Sequence, residues 1–163
     1  RTIEDQTLKL MNQGKSLNQV LHEVEMPENL MKHAWLTPIY DDPQFLIRMI
    51  WRRYGGWWDG EYDRLLPSPR KAEAIAWVEL SGGIENIISK ALEQSNQENY
   101  AVAAHLIETA FHADHSNEKT HKARSEIYRK FSLKQSSSMG RNILNHASLA
   151  SMKGLRDMAE TEN

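Results

Sequence analysis

The stretch DDPQFLIRMIWRRYGGWWDG, residues 41–60, carries the most definite structural signals in the chain. Asp42 has a side chain suited to a helix N-cap, and Pro43 fits the first helical position, where its missing N–H costs nothing. The glycines at positions 55 and 56 suit the end of the same helix. The pattern therefore predicts a helix from Pro43 to about Arg53, followed by a turn that contains two tryptophans.

This predicted helix is apolar on almost every side. Its large apolar residues are, in chain order, Phe45, Leu46, Ile47, Met49, Ile50, Trp51 and Tyr54. A helix without a polar face is typically buried in a core or shared with a partner. The cluster of Trp51, Trp57 and Trp58 leaves the same two interpretations open, because large aromatic side chains fill cores and are also enriched at protein–protein interfaces.

Helix signals continue towards the N-terminus. A first helix is predicted to end near Gly14, a residue suited to a left-handed C-terminal position. Ser16 and Gln19 have the spacing of a capping box for a second helix, which Pro27 closes. One or two further helical turns are predicted over residues 28–35.

Towards the C-terminus, Ser68 and Pro69 have the pattern of an N-cap and a first helical residue, and this helix should end at Gly82 and Gly83. Four further stretches then show apolar residues at helical spacing, the last over about residues 139–158. The chain contains no stretch with the two-residue alternation of a half-buried strand. The sequence therefore predicts an all-α multi-helix bundle.

Residues 84–131 also resemble one tetratricopeptide unit. In such repeats small residues let two helices approach closely, and Ala103 and Ala104 stand at positions of this kind. Any closely packed pair of antiparallel helices can show the same alanines. A tetratricopeptide-like helical pair and an ordinary helix pair are therefore both open.

The composition excludes several classes of protein. The chain has 163 residues, of which 40% are hydrophobic and 26% charged, which fits one domain or two small helical lobes that share one core. A formal net charge of −2 argues against a nucleic-acid-binding protein. The absence of cysteine excludes disulfides and thiolate chemistry, and no apolar run approaches the roughly 18 residues of a membrane span. The chain begins at Arg1 without a methionine or a signal-peptide pattern, so we expect it to start inside a longer protein.

Histidine is frequent, with seven residues, and four of them lie close together along the chain. His112 and His115 are three positions apart, His105 precedes them by two turns, and His121 follows. A zinc site needs three or four ligands, and no carboxylate is spaced to complete a His-Glu-x-x-His helix. We therefore predict no metal ligand, and interpret His112 and His115 as solvated residues of a polar turn between helices.

Motifs of catalysis are also missing. There is no Gly-x-Ser-x-Gly sequence and no glycine-rich phosphate loop, so the chain is predicted to hold no catalytic residue and no cofactor. Arg48, Arg52 and Arg53 could together bind an anion. The favoured interpretation is that they pair with acidic residues such as Asp41 and Asp59 or cover the aromatic cluster.

The ordered set of motifs resembles the alkyl sulfatase dimerisation domain. The set comprises YDDPQF at 40–45, RMIWRRYGGWWDG at 48–60, AWVELSGG at 76–83, NYAVAAHL at 99–106 and ARSEIY at 123–128. The resemblance covers about residues 28–150. We accordingly expect one helical dimerisation domain over residues 1–163, with N-terminal helices over 1–27 and the family-like region over 28–163.

The resemblance implies a larger parent enzyme. In that family the dimerisation domain follows a metallo-β-lactamase-fold domain, which holds two zinc ions through a His-x-His-x-Asp-His motif and hydrolyses sulfate esters. That motif is absent from this chain, so we expect the zinc in a separate N-terminal domain and no catalysis by the chain alone. The parent is expected to act on a sulfate ester or a related ester. Its compartment, bacterial cytoplasm or periplasm, is left open.

The resemblance also implies residues that wall the substrate site of the parent. Family members carry a histidine near the start of the first family helix and an aromatic residue in the Gly-Trp block, both near the sulfate. Phe45 stands at the position of that histidine, so this chain lacks one standard contact. Trp57 stands at the position of the aromatic residue, and Arg48 matches an arginine of the family pattern.

The predicted partner is a second copy of the chain. The interface candidates are Phe45, Ile47, Ile50, Trp51, Tyr54, Trp57 and Trp58, because one small domain can seldom cover a helix that is apolar on every side. The alternative function is a freestanding tetratricopeptide-like scaffold that binds other proteins. The alternative for the helix itself is the central core helix of a monomer.

Overall fold

The computed structural model describes residues 2–27 and 39–154, and within them every regular element is helical. The α-helices are α1 (Thr2–Asn12), α2 (Leu17–Glu23), α3 (Pro43–Gly55), α4 (Arg70–Leu80), α5 (Ile84–Asn96), α6 (Tyr100–Ala113), α7 (Glu118–Leu133) and α8 (Ser138–Lys153), with a 3₁₀ turn at Tyr62–Arg64. The described residues contain no strand. The predicted all-α class is confirmed. The helical turns predicted over residues 28–35, and the end of the last predicted helix, lie outside the described residues.

The chain divides into two compact units. The first unit comprises Arg1–Pro67 with Ser136–Met139, and the second comprises Ser68–Gln135 with Gly140–Asn163. The boundary predicted between residues 27 and 28 borders residues outside the described part of the chain and stays a prediction.

In the first unit, α1 and α2 pack against α3. The buried apolar residues of this core are Val20, Leu21, Ile47 and Trp51. The start of α2 is fixed by the predicted capping box, in which the Ser16 hydroxyl accepts from the Gln19 amide at 3.4 Å and the Gln19 side chain accepts from the Ser16 amide at 2.9 Å. The capping box therefore fixes the start of α2, and Val20 and Leu21 of this helix pack against α3.

The second unit is centred on α6, which packs against α4, α5 and α7. Its core contains Ile87, Ile88, Ala91, Ala103, Ile107, Ala110, Ala123 and Ile127. Ala103 and Ala110 are fully buried on α6, where small side chains permit close helix packing. The alanine pattern was therefore informative about packing, whereas the tetratricopeptide-like detail stays a prediction.

The start of α4 differs from the prediction by one residue. Pro69 occupies the N-cap position with a ψ of 131°, which is extended, and α4 begins at Arg70. Ser68 does not cap the helix, and Pro69 contributes no capping side chain, so the first turn of α4 lacks a side-chain cap. The end of α4 agrees with the prediction, since Gly82 and Gly83 both have positive φ angles.

Candidate functional site

Helix α3 presents three faces with different surroundings. With 3.6 residues per turn, Ile47 and Trp51 lie on one side of the helix, towards α1 and α2. Their side chains are 1% and 9% exposed. The indole N–H of Trp51 also donates to the Trp58 carbonyl at 2.9 Å. Because both side chains are buried in the core of the first unit, they offer little surface to a partner, and the assignment of Ile47 and Trp51 to an interface stays a prediction that their burial does not favour.

The second face of α3 borders an apolar groove of about 450 Å³. The residues that line it are Thr2, Ile3, Glu4, Met26, Pro27, Leu46, Met49, Ile50, Arg53 and Tyr54. Met49 is 58% exposed although it is apolar. The Tyr54 hydroxyl donates to the Glu4 carboxylate at 3.2 Å and so holds the start of α1 beside the groove. Two interface candidates, Ile50 and Tyr54, therefore lie on an accessible apolar surface.

The third face of α3 is basic. Arg48 and Arg52 are both exposed there, four positions apart, and Phe45 lies on the same side of the helix and is half-buried. Among the ion pairs of residues 2–27 and 39–154, none includes Arg48, Arg52 or Arg53. The predicted pairing of these arginines with nearby acids is therefore not observed in the described residues.

The tryptophan turn, residues 55–61, is held firmly against the first unit. The Leu17 amide donates to the Asp59 carbonyl at 2.8 Å, and the Asp59 carboxylate accepts from the Glu61 amide at 3.0 Å. The Trp58 ring packs edge-on against Tyr62, with the ring centroids 5.7 Å apart. Trp57 has no such cover and is 81% exposed. A fixed backbone thus presents one large aromatic side chain to the outside.

The second unit contains a buried polar cluster that was not predicted from the sequence. Arg124 is 2% exposed, and its Nε atom donates to the Glu108 carboxylate at 2.6 Å. Its guanidinium also lies over the Phe111 ring, 4.2 Å from the centroid. The sequence did contain a signal for the burial of Arg124. This residue lies four positions after Thr120 and three before Ile127, on a side of the helix where an apolar residue is expected.

The histidine prediction needs correction at one position. His112 is 6% exposed and packs edge-on against Phe111, so it is a buried residue and not a solvated residue of a turn. The reason is that α6 extends through Ala113 and carries His112 on its packed side. The rings of His112 and His115 lie 5.8 Å apart. In the described part of the chain, no group of three or more histidine and acidic side chains is placed to hold a metal ion.

None of the described helices combines the length and the apolarity that a membrane span requires.

Comparison with known proteins gives a consistent result. A family model described as alkyl sulfatase dimerisation matches residues 16–154. The alkyl/aryl-sulfatase BDS1 of Saccharomyces cerevisiae is 28% identical over 122 residues, which are 75% of this chain and 18% of that protein. A linear primary-alkylsulfatase of Pseudomonas sp. is 26% identical over 129 residues, which are 78% of this chain and 24% of that protein.

A solved structure supports the fold. The stereoselective inverting sec-alkylsulfatase Pisa1 from Pseudomonas sp. superposes with a TM-score of 0.86 at 21% identity, over 94% of this chain and 24% of that chain. At this level of identity the likeness concerns the fold alone. The chain spans 18% and 24% of the two curated relatives, so most of each relative has no counterpart in it.

Proposed function

Because the chain belongs to the alkyl sulfatase dimerisation family, whose model matches residues 16–154, we propose that it joins two copies of a larger enzyme as a homodimer. The observation that carries this proposal is the uncovered apolar surface of the first unit. Met49, Tyr54 and Trp57 are each more than half exposed there. Where exposed apolar side chains form one large patch, the patch typically marks an interaction site.

The proposed interface consists of the groove face of α3 and the tryptophan turn. It retains four of the sequence-based candidates, namely Ile50, Tyr54, Trp57 and Trp58, and adds Leu46 and Met49. Phe45 lies on the basic side of α3 and is not part of this surface. A two-fold interface brings the same patch of both copies together. An obligate homodimer buries on the order of 2,000 Å² or more, so the groove and the turn would have to act as one continuous surface.

A charge placed in the patch should separate the two copies. Met49→Glu introduces a carboxylate at an exposed position, so the folded subunit should tolerate it, whereas its burial in an interface would be costly. Gln44→Glu is the matched control, because Gln44 is on the same helix and does not line the groove. We expect the unmodified chain and Gln44→Glu to sediment at twice 18.8 kDa, and Met49→Glu to sediment at 18.8 kDa.

Two outcomes of this sedimentation equilibrium experiment would contradict the proposal. A monomeric unmodified chain at all concentrations would show that the chain alone does not dimerise. A Met49→Glu variant that stays dimeric would show that the interface lies elsewhere. Far-ultraviolet circular dichroism of both variants checks that the helices are retained.

The catalytic part of the parent enzyme is proposed to lie outside this chain. Supporting this, both curated relatives are named sulfatases and are more than four times as long as the matched segment. The parent would be a zinc hydrolase acting on sulfate esters or related esters, with zinc in its own metallo-β-lactamase-fold domain. The reading frame before Arg1 tests this proposal, because the parent should encode a His-x-His-x-Asp-His motif there, whereas a freestanding scaffold should not.

Arg48 and Trp57 are proposed to wall the substrate side of the parent. Both side chains are exposed in the first unit, and Arg48 has no carboxylate partner among the described residues. An unpaired guanidinium is suited to an anionic group such as a sulfate ester. The apolar Phe45 on the same side of α3 offers no hydrogen bond to such a group.

A further inference from the structure

The end of α6 and the start of α4 meet at one buried imidazole. Nη1 of Arg70 on α4 lies 3.4 Å from Nε2 of His112 on α6. A guanidinium can only donate hydrogen bonds, so Nε2 must act as the acceptor in this contact. An imidazole with an accepting Nε2 is neutral and carries its proton on Nδ1. The contact between Arg70 and His112 therefore belongs to the unprotonated histidine.

A second group lies close to the same nitrogen. The Glu108 carboxylate, one turn earlier on α6, has an oxygen 3.7 Å from Nε2 of His112. An ionised carboxylate can only accept, so it can bond to Nε2 only when this atom carries a proton. A protonated Nε2 can no longer accept from Arg70. Arg70 and Glu108 consequently exclude each other as hydrogen-bond partners of Nε2.

We propose that protonation of His112 exchanges its partner, from Arg70 on α4 to Glu108 on its own helix, and thereby releases the first turn of α4. The junction between α4 and α6 is then an acid-sensitive contact inside the second unit. This inference does not depend on the proposed dimerisation, because all of its residues belong to the second unit.

The first turn of α4 is poorly secured by other means. The N-cap residue Pro69 contributes no side-chain hydrogen bond, and residues 70–73 are all exposed. The first residue of α4 that is buried is Ala74, which follows that turn. Loss of the hydrogen bond from Arg70 should therefore loosen the turn locally while Ala74 keeps the rest of α4 in place.

A second electrostatic contact near this junction does not respond over the same pH range. Lys71 on α4 interacts with Asp114, which follows α6. Hydrogen bonds from the Ser116 hydroxyl and the Ser116 amide hold the pKa of Asp114 below its ordinary value. Asp114 therefore remains ionised while imidazoles take up protons, so the attraction to Lys71 is the same before and after His112 changes partner.

Some of the charges around His112 favour its protonated form and others oppose it. Its place in the last turn of α6 favours a positive charge, because helix C-termini carry partial negative charge, and Glu108 adds to this effect. Arg70 from α4 and Arg124 from α7 oppose it, as does burial. His115, whose ring lies 5.8 Å away, and His121, which also packs against Phe111, would add like charges when they protonate.

Nuclear magnetic resonance on the whole chain tests the proposal. The imidazole nitrogens of His112 and the backbone amides of residues 70–73 would be followed between about pH 8 and about pH 5, which spans the ordinary imidazole pKa of about 6.5. At pH 8 we expect the Nδ1–H form of His112. The amide shifts of the first turn of α4 should then change with the same midpoint as the His112 nitrogens.

Three variants separate this contact from other pH effects. Arg70→Gln removes the donor at an exposed site without touching the core, and it should abolish the pH-dependent shifts of the first turn. His112→Gln should abolish them as well. His105→Gln is the matched control, because His105 is exposed on the same helix, and it should leave them unchanged. An Nε2–H form of His112 at pH 8, or pH-dependent shifts that persist in Arg70→Gln, would overturn the proposal.

Discussion

At the scale of single residues, Gly60 is subject to two separate constraints. Its φ angle is +88°, in the left-handed region that side-chain-bearing residues rarely adopt. A Cβ atom at this position would also lie 3.1 Å from both Cα and Cβ of Ser16, the N-cap of α2. Gly56, at the other end of the tryptophan turn, has a similar φ of +84°, but a Cβ atom added there would meet no atom within 4 Å. A substitution at Gly56 therefore tests backbone strain alone, whereas a substitution at Gly60 tests backbone strain together with a close contact.

Alanine substitutions at these glycines should differ in their effect on stability. Gly56→Ala should lower the free energy of unfolding by about 1 to 2 kcal/mol, because its φ of 84° with a ψ of −145° is a backbone conformation that strongly favours glycine. Gly60→Ala should lower it by about 2 to 3 kcal/mol, since the turn must also move away from Ser16. Urea unfolding monitored by tryptophan fluorescence measures both. An equal or smaller loss for Gly60→Ala would show that the contact with Ser16 is unimportant.

At the scale of elements, α2 and α3 have capping side chains and begin as predicted, whereas α4 has no capping side chain and begins one residue later than predicted. The Asp42 carboxylate accepts from the Gln44 amide at 2.8 Å, and Pro43 begins α3 as predicted. At α4, Pro69 stands outside the helix although proline often opens one. The difference is physical, because a capping hydrogen bond fixes the boundary at one residue, whereas a proline restricts φ and leaves ψ undetermined.

Removal of the cap of α3 should weaken the first unit. Asp42→Ala should lower the free energy of unfolding by about 1 kcal/mol, because it leaves the Gln44 amide without its acceptor. Asp42→Asn should retain most of the stability, since an asparagine side chain also caps helices. Asp41→Ala removes the same charge next to the cap and serves as the control. If both alanine variants lost equal stability, the effect would be one of charge and not of capping.

At the scale of the whole molecule, one buried cation links three helices of the second unit. Arg124 on α7 bonds to Glu108 on α6, and its Nη1 atom donates to the Ala147 carbonyl at 3.3 Å and to the Ser151 hydroxyl at 2.9 Å, both on α8. The residues that α8 buries are small, namely Gly140, Ser148 and Ala150, whereas its larger residues Ile143 and Met152 are exposed. The polar connection therefore adds to a modest buried surface on α8.

Removal of this buried connection should reduce the stability of the fold more than removal of an ion pair at the surface. Arg124→Met should lower the free energy of unfolding by about 3 kcal/mol, because Glu108 is left largely buried without its cation. Adding Glu108→Leu should recover part of that loss, which a double-mutant cycle by thermal or urea unfolding would measure. The exposed pair of Lys130 and Glu126 on the same helix is the control, and Lys130→Met should cost less than about 1 kcal/mol. Equal losses for Arg124→Met and Lys130→Met would contradict the structural role of Arg124.

The sequence by itself determined the helical class, most helix boundaries and the family. These properties follow from signals that act within a few residues, such as the capping box at Ser16 and the glycines at 82 and 83. The same short stretch also indicated a candidate patch, but it left open whether the apolar residues of α3 and the tryptophans lie in a core or at an interface. Which side of α3 is buried and which sides are exposed was not predictable from that stretch.

Only the tertiary structure decided which of these residues are available. Ile47 faces α1 and α2 and is buried, whereas Met49, two positions later, is exposed. His112 and Arg124 are buried, and they contact Arg70 and Glu108, which lie 42 and 16 positions away along the chain. The number and spacing of apolar residues show that a helix has a buried side. Which side is buried, however, depends on helices that are distant in sequence. The burial of each of these residues and its contact partners are therefore set by the packing of the helices and not by the local sequence.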